Sequence, residues 1–180
     1  MDEEILDKVD KNDQIIGKTT KQEAHENGYA HRVAAVFVLN DDNKLLVQLR
    51  KKDGLLDHSA AGHIRAGESY DHAAARELQE ELGLVVPIKK IGIFYSDETV
   101  RARNINYVHY FGLYETKPGN DILKNIMPSK EEVAEIIPMT IEEIAKQMLR
   151  EPLKWTNGFK NTLNFYAKNK NINIPIIPIR

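Results

Sequence analysis

The apolar positions in the first third of the chain fall into short runs that predict β-strands. Residues 4–20 contain two short apolar segments on either side of a polar turn at residues 10–13, which predicts a hairpin. Residues 33–39 form a continuous apolar run, and residues 45–49 form a second one after a polar turn. Continuous apolar runs of this length are typical of central strands buried on both faces.

Three later segments have the spacing of amphipathic helices. Residues 69–82 carry apolar side chains at every fourth position, with Ser69 as a favourable N-cap and Gly83 as the end signal. Residues 140–149 and about 156–168 predict two more helices near the C-terminus. All three predicted helices therefore follow the first predicted strands in the chain.

Two further strands are predicted at residues 88–95 and 105–114, joined by a charged loop at residues 96–103. Strands flanked by helices, with several hairpins, favour an α/β fold in which helices cover a mixed sheet. Neither a repeat nor a linker divides the chain, so we predict a single domain over residues 1–180.

The helix at residues 69–82 carries an unusual group of acidic side chains. At about 100° per residue, Glu77, Glu80 and Glu81 share one face roughly 100° wide, which borders the buried stripe of the helix. Only Arg76 is near enough along the helix to offset their repulsion. A solvated acidic face is the alternative, but such a cluster also suits a hard divalent cation such as Mg²⁺ or Mn²⁺.

The composition of the chain limits the kinds of ligand and the kinds of site that can be expected. The net charge of -2 provides no broad basic surface for a nucleic-acid duplex, so a nucleotide is the better expectation. The chain has no cysteine, which excludes disulfides, thiolate metal sites and a cysteine nucleophile. Its acidic start does not resemble a signal peptide, and no apolar run approaches the length of a membrane span. We therefore expect a cytoplasmic protein without a membrane partner.

The segment GHIRAGESYDHAAARELQEELGL resembles a complete Nudix box. It has a glycine at Gly62, then five residues, Glu68, seven residues, and finally the run from Arg76 to Leu84. The resemblance implies an α/β/α sandwich around a central mixed sheet, with the predicted N-terminal hairpin and C-terminal helices as additions. It also implies hydrolysis of a diphosphate linkage in a nucleoside diphosphate derivative or nucleotide.

The resemblance assigns roles to particular residues. Glu77 and Glu81 are the expected principal ligands of Mg²⁺, which Mn²⁺ could replace, and Glu80 is an additional ligand or the base that activates water. The Gly62 carbonyl is a further ligand candidate. Supporting roles beside these ligands fall to Glu68 and Arg76. Glu132 is the second candidate for the base, because many Nudix enzymes supply a late acidic residue from a loop.

Residues outside the box resemble the branch of the superfamily that includes type 1 isopentenyl-diphosphate isomerase. That isomerase needs a cysteine where this chain has Ala61, and two glutamates on a later strand where Asn104 and Asn106 stand. Protonation of an alkene without these groups is implausible, so hydrolysis is favoured. Isomerisation and a non-catalytic nucleotide-sensing module remain the two alternatives.

Other polar residues have weaker assignments. His25, His31 and His63 are similar to histidines of the isomerase metal site, but without its glutamates packed side chains are the expectation. His63 could instead contact a phosphate. Arg101 and Arg103 could hold a phosphate from their loop, or could be solvated. The hairpin or the C-terminal tail could pair across a homodimer, or either segment could cover an edge of its own sheet.

Overall fold

A computed structural model of the protein describes residues 4–100 and 105–179. The strands in these ranges are β1 (Ile5–Val9), β2 (Ile15–Thr20), β3 (His31–Val38), β4 (Leu45–Arg50), β5 (Leu56–Asp57), β6 (Ala60–His63), β7 (Lys89–Val100), β8 (Ile105–Thr116) and β9 (Val133–Met139). The α-helices are α1 (Lys21–Asn27), α2 (Tyr70–Leu82), α3 (Asn120–Leu123), α4 (Ile141–Arg150) and α5 (Asn157–Lys170).

The strands form three sheets. The N-terminal hairpin of β1 and β2 is antiparallel, a four-stranded mixed sheet has the order β6-β3-β8-β7, and a three-stranded sheet has the order β5-β4-β9. Strand β3 runs parallel to β8 and antiparallel to β6. The predicted α/β architecture with a mixed central sheet is therefore confirmed.

Helices cover both faces of β3. Ala34, Val36 and Val38 face α2 and contribute to one buried cluster. The alternate residues of the strand pack with α4 and α5 in a second cluster, in which Phe37 and Phe159 are fully buried. Side chains of successive strand residues point to opposite faces, so the continuous apolar run of β3 is explained by burial on both sides.

The predicted boundaries hold best for the helices. Helix α2 is capped by the Ser69 side chain and ends at Gly83 in the left-handed conformation, while α4 and α5 begin after Thr140 and Thr156. The prediction for the second pair of strands was wrong in length. Residues 96–100 belong to β7, so most of the expected charged loop extends the β7–β8 hairpin.

The N-terminal hairpin docks on the loop that precedes α2. The amide of Ala66 donates a hydrogen bond of 2.9 Å to the carbonyl of Ile5, and the amide of Gly67 donates one of 2.8 Å to the Asp7 carboxylate. The Tyr70 hydroxyl donates to Asp13 in the hairpin turn at 3.0 Å. The hairpin thereby holds the start of α2 in place.

Helices long and apolar enough to cross a membrane are absent from the described ranges.

Candidate active site

The acidic face of α2 lies half inside the protein. Glu77 and Glu81 are buried, with 8% and 3% of their surfaces exposed, whereas the Glu80 side chain is 45% exposed. This difference follows from the helix geometry, because Glu77 and Glu81 lie one turn apart on the side next to the buried leucines. The predicted position of the acidic face beside the apolar stripe is therefore confirmed.

Strand β6 passes directly beside the Glu77 carboxylate. A Cβ atom built at Gly62 would lie 2.1 Å from Oε1 of Glu77, a distance that no side chain could occupy. Glycine is thus required here for close approach and not for an unusual backbone angle. The next residue toward the N-terminus, Ala61, donates its amide hydrogen to Oε1 of Glu81 at 3.0 Å.

Burial makes the charged forms of these two carboxylates costly. Desolvation raises the pKa of Glu81 to about 8, although the hydrogen bond from Ala61 acts in the opposite direction. Desolvation also raises the pKa of Glu77, against the nearby charge of Arg76. Two buried acidic groups with a shortage of positive charge form an oxygen donor set that suits a hard divalent cation.

Arg76 is the central cation of the site. Its Nε and Nη2 atoms donate to the two oxygens of Glu68 at 2.9 and 2.8 Å, in a bidentate pair. Its Nη1 atom donates to Glu77 at 2.6 Å and to Glu80 at 3.0 Å. A fifth bond of 3.1 Å reaches the carbonyl of His63 on β6. The guanidinium therefore joins three glutamates and the strand.

A cleft of about 120 Å³ opens beside Glu81. Glu132 lines the same cleft, together with the basic side chains of Arg50 and Lys52. The loop that carries Glu132 is tied to α2, because the Ser129 amide donates to the Glu81 carbonyl at 2.8 Å. The structure thus brings Glu132 to the site that contains the box glutamates.

A larger cleft of about 920 Å³ lies elsewhere, between the C-terminal ends of β8 and α5. Its walls carry Lys89, Lys117 and Lys170 but none of the glutamates of α2. Size alone would favour this cleft, but its chemistry does not. The clustered carboxylates make the smaller cleft the better candidate for catalysis.

Comparison with known proteins identifies the family. A model of the NUDIX domain matches residues 29–158, which include all of α2 and the loop with Glu132. The chain belongs to the Nudix family. An isopentenyl-diphosphate Delta-isomerase of Serratia proteamaculans is 29% identical over 176 residues, which cover 93% of this chain and 94% of that protein.

Hydrolases are also among the Nudix relatives. An uncharacterised Nudix hydrolase of Clostridium acetobutylicum is 32% identical over 158 residues, which cover 81% of this chain and 74% of that protein. A crystal structure of a Deinococcus radiodurans protein aligns with a TM-score of 0.67 at 19% identity, covering 82% of this chain and 90% of that one. This structural likeness shows the fold alone.

Among the remaining predicted site residues, the structure describes only His63, whose side chain lies away from the Nudix box glutamates. His63 follows Gly62 on β6, so its side chain points to the opposite face of the sheet, where it meets His25 and His31. A phosphate contact from His63 has no support in this position. Arg101 and Arg103, like Asn104, lie outside the described residues.

His109 is the residue that sequence reasoning missed. It pairs with His31 across the parallel strands β3 and β8, and its ring contacts those of the other three histidines. No local pattern marks it, since the pairing joins segments that are far apart in the chain. His109 lay inside the strand predicted at residues 105–114, and nothing in that segment linked it to the other three histidines.

Proposed function

We propose that the protein is a hydrolase that cleaves a phosphoanhydride bond in a nucleoside diphosphate derivative or nucleotide with the help of Mg²⁺. The observation that carries this proposal is the pair of buried carboxylates, Glu77 and Glu81, held against β6 at a glycine. Glu77, Glu81 and Glu80 would hold the cation, with the Gly62 carbonyl as a further ligand, and Mn²⁺ could replace Mg²⁺.

The bound cation would supply charge neutralisation at the diphosphate and a more acidic water. Arg76 positions Glu77 and Glu80, and Glu68 in turn fixes the plane of the guanidinium. Glu80 is the first candidate to accept a proton from the attacking water, because its half-exposed carboxylate can reach solvent. Glu132, which lines the cleft beside Glu81, is the second candidate.

Arg50 and Lys52 add positive charge to this cleft. Desolvation lowers the pKa of the Lys52 ammonium, although the residue as a whole is exposed, so the amine would meet the substrate phosphates from the solvent side. Both terminal nitrogens of Arg50 already donate to Asp57 and Asp53, at 2.8 and 2.7 Å, so its charge would attract an anionic substrate without a free bidentate contact.

Isomerisation of an isoprenoid diphosphate is the second candidate, since several relatives carry that name. Ala61 opposes it, because a methyl group can neither donate nor accept a proton at the place where the isomerase has its cysteine. A nucleotide sensor without turnover is the third candidate. It is opposed by the presence of the full set of box glutamates, Glu77, Glu80 and Glu81.

A product assay separates these candidates. Release of phosphate or nucleoside monophosphate is measured with Mg²⁺ for a panel of nucleotide sugars, dinucleotides and nucleoside triphosphates, together with isopentenyl diphosphate. We expect hydrolysis of at least one nucleotide, and a loss of about 100-fold or more in kcat for Glu80→Gln. Glu142→Gln, an exposed residue of α4, is the matched control and should retain full activity.

Conversion of isopentenyl diphosphate, or tight binding of a nucleotide without turnover, would each contradict the proposal. If Glu80→Gln retains activity, Glu132→Gln decides whether the proton acceptor is the second candidate. Activity retained in both variants would exclude a carboxylate base at either position.

A further inference from the structure

Four histidine rings meet on the face of the four-stranded sheet opposite α2. His25 comes from α1, His31 begins β3, His63 ends β6 and His109 lies in β8. One nitrogen of each ring lies within 4.8 Å of one nitrogen of every other. All six pairs of ring centroids are 4.5 to 6.0 Å apart. Within the described ranges, no other group of three or more His, Asp or Glu side chains is gathered this closely.

The sheet register explains why the rings converge. His31 is paired with His109 across the parallel strands, and His63 is paired with Val33, two residues further along β3. Residues two apart on a strand share a face, so all three histidines point the same way. His25 approaches from α1, which packs over β8 and covers the cluster.

Each ring has a nitrogen without a hydrogen-bond partner. The Nε2 atoms of all four histidines are buried and unpaired. His31 is fully buried and His109 is 8% exposed, and the Nε2 atoms of both are inaccessible to hydrogen bonds from bulk water. Buried polar atoms in proteins are nearly always paired, and four exceptions at one point require an explanation.

Protonation does not provide that explanation. Burial lowers the pKa of His25 to about 4, and it lowers the pKa values of His63 and His109 well below the ordinary range. The rings are therefore neutral near pH 7, and neutral imidazole is the form that binds metals.

A backbone contact fixes which nitrogen of His31 is free. Its Nδ1 atom lies 2.8 Å from the carbonyl of Tyr29, which can only accept, so Nδ1 carries the proton and Nε2 carries the lone pair. This is the usual arrangement behind a metal-binding histidine. Glu4 lies 3.9 Å from Nδ1 of His63, and its negative charge is shared with the Lys21 ammonium, which lies 3.4 Å from the same carboxylate.

We propose that His25, His31, His63 and His109 together bind one divalent transition-metal ion of the zinc class, at a site separate from the Nudix box. An all-imidazole set suits Zn²⁺, Cu²⁺, Fe²⁺ or Ni²⁺, whereas Mg²⁺ prefers oxygen. Tetrahedral Zn–N bonds of about 2.0–2.1 Å place the nitrogens about 3.3 Å apart. Metal binding would therefore require ring movements that bring the four nitrogens closer together than their present span of 4.8 Å.

The ligand set also indicates what the ion does. Four protein ligands leave no open coordination position, which is typical of a structural site. The ion would fasten α1, and through it the N-terminal hairpin, to three adjacent strands. The proposal depends on His109 and on the four unpaired nitrogens, and not on the likeness to the isomerase, whose later glutamates this chain lacks.

Metal content tests the proposal directly. Untagged protein is stripped with a chelator, incubated with Zn²⁺, desalted, and analysed by elemental mass spectrometry. We expect one retained equivalent of Zn²⁺ for the wild type and for His72→Ala, an exposed histidine of α2 that serves as control. His109→Ala should bind Zn²⁺ at least about 100-fold more weakly, since even residues that only support a ligand change affinity 10- to 100-fold.

A cobalt spectrum identifies the ligands. Co²⁺ in the wild type should give the strong visible absorption of four-coordinate cobalt, unchanged in the double variant Glu77→Gln, Glu81→Gln. If His109→Ala does not fold, His25→Ala on the short helix α1 takes its place. A wild type that retains no stoichiometric zinc, or a cobalt spectrum that depends on the glutamates and not on the histidines, would overturn the proposal.

Discussion

Gly62 is the residue at which the backbone of β6 meets the acidic face of α2. The absence of a side chain lets the Glu77 carboxylate lie against the strand. Because that carboxylate ends a flexible side chain, an added methyl group would displace it without breaking the fold. A substitution at Gly62 should therefore move a proposed metal ligand while leaving the stability of the protein nearly unchanged.

Gly62→Ala should lower kcat for hydrolysis by about 100-fold or more, because a displacement of about 1 Å in a ligand or catalytic group can reduce the rate by that factor. The melting temperature should change by only a few degrees. Gly17→Ala is the control, since a Cβ atom there meets nothing within 4 Å. Full activity in Gly62→Ala would show that the close contact with Glu77 is not needed.

At the same scale, the relative placement of the box glutamates could be predicted from the sequence, whereas their roles stay predictions. The spacing of Glu77, Glu80 and Glu81 on a helix placed them on one face. Arg76 was expected to be the only cation near them along the helix, but Arg65 from the preceding loop also lies 3.6 Å from Glu80. The relations along the helix are local, so helix geometry alone determines them. His109 could not be found in this way, because its neighbours depend on the pairing of β3 with β8.

Among the helices and strands, too, features set by neighbouring residues could be predicted better than features set by pairing between distant segments. Helix α1 was missed, although Thr20 and Glu23 form a capping box that marks its start in the sequence. Its seven residues are too few for a clear apolar period. Strand β4 was predicted correctly as a strand, yet it pairs with β9 and β5 in another sheet. Sheet membership depends on long-range pairing, which apolar runs do not reveal.

Asp57 joins β5 to the C-terminal part of the molecule. Its carboxylate accepts hydrogen bonds from Arg50, His58 and the Thr156 side chain that caps α5, at 2.7 to 2.8 Å. Burial alone would raise the pKa of Asp57, but the charge and hydrogen bond of His58, with Arg50 and Thr156, hold it well below its usual range.

Asp57→Asn should lower the free energy of unfolding by about 3 kcal/mol at neutral pH, because it leaves buried partners without their charge. The pKa of Asp57 is lower in the folded protein than in the unfolded chain. Its stabilisation is thus fully present above the ordinary aspartate pKa of about 3.9 and is lost as the pH falls toward the folded value.

Urea unfolding at pH 7 and at about pH 3, below the ordinary aspartate pKa, measures this difference. Asp121→Asn, whose side chain is 96% exposed, is the control and should unfold like the wild type. A difference between Asp57→Asn and the wild type that grows as the pH falls would contradict the direction of the pKa shift.

At the scale of the whole molecule, one sheet separates the two proposed metal sites. The glutamates of α2 lie on one face of β6, and the histidine cluster lies on the other, with Gly62 and His63 as adjacent residues. Oxygen donors on one face and nitrogen donors on the other suit different ions. The predicted single domain over residues 1–180 and the possible homodimer both stay predictions.

The most direct test of the central claim is anomalous diffraction from crystals soaked with Mn²⁺. A peak beside the carboxylates of Glu77 and Glu81, absent in the variant Glu77→Gln, Glu81→Gln, is the result that we predict. Data at the zinc edge from the same crystal form would report the histidine cluster separately. Mn²⁺ absent from α2 while hydrolysis proceeds would contradict the account of the active site.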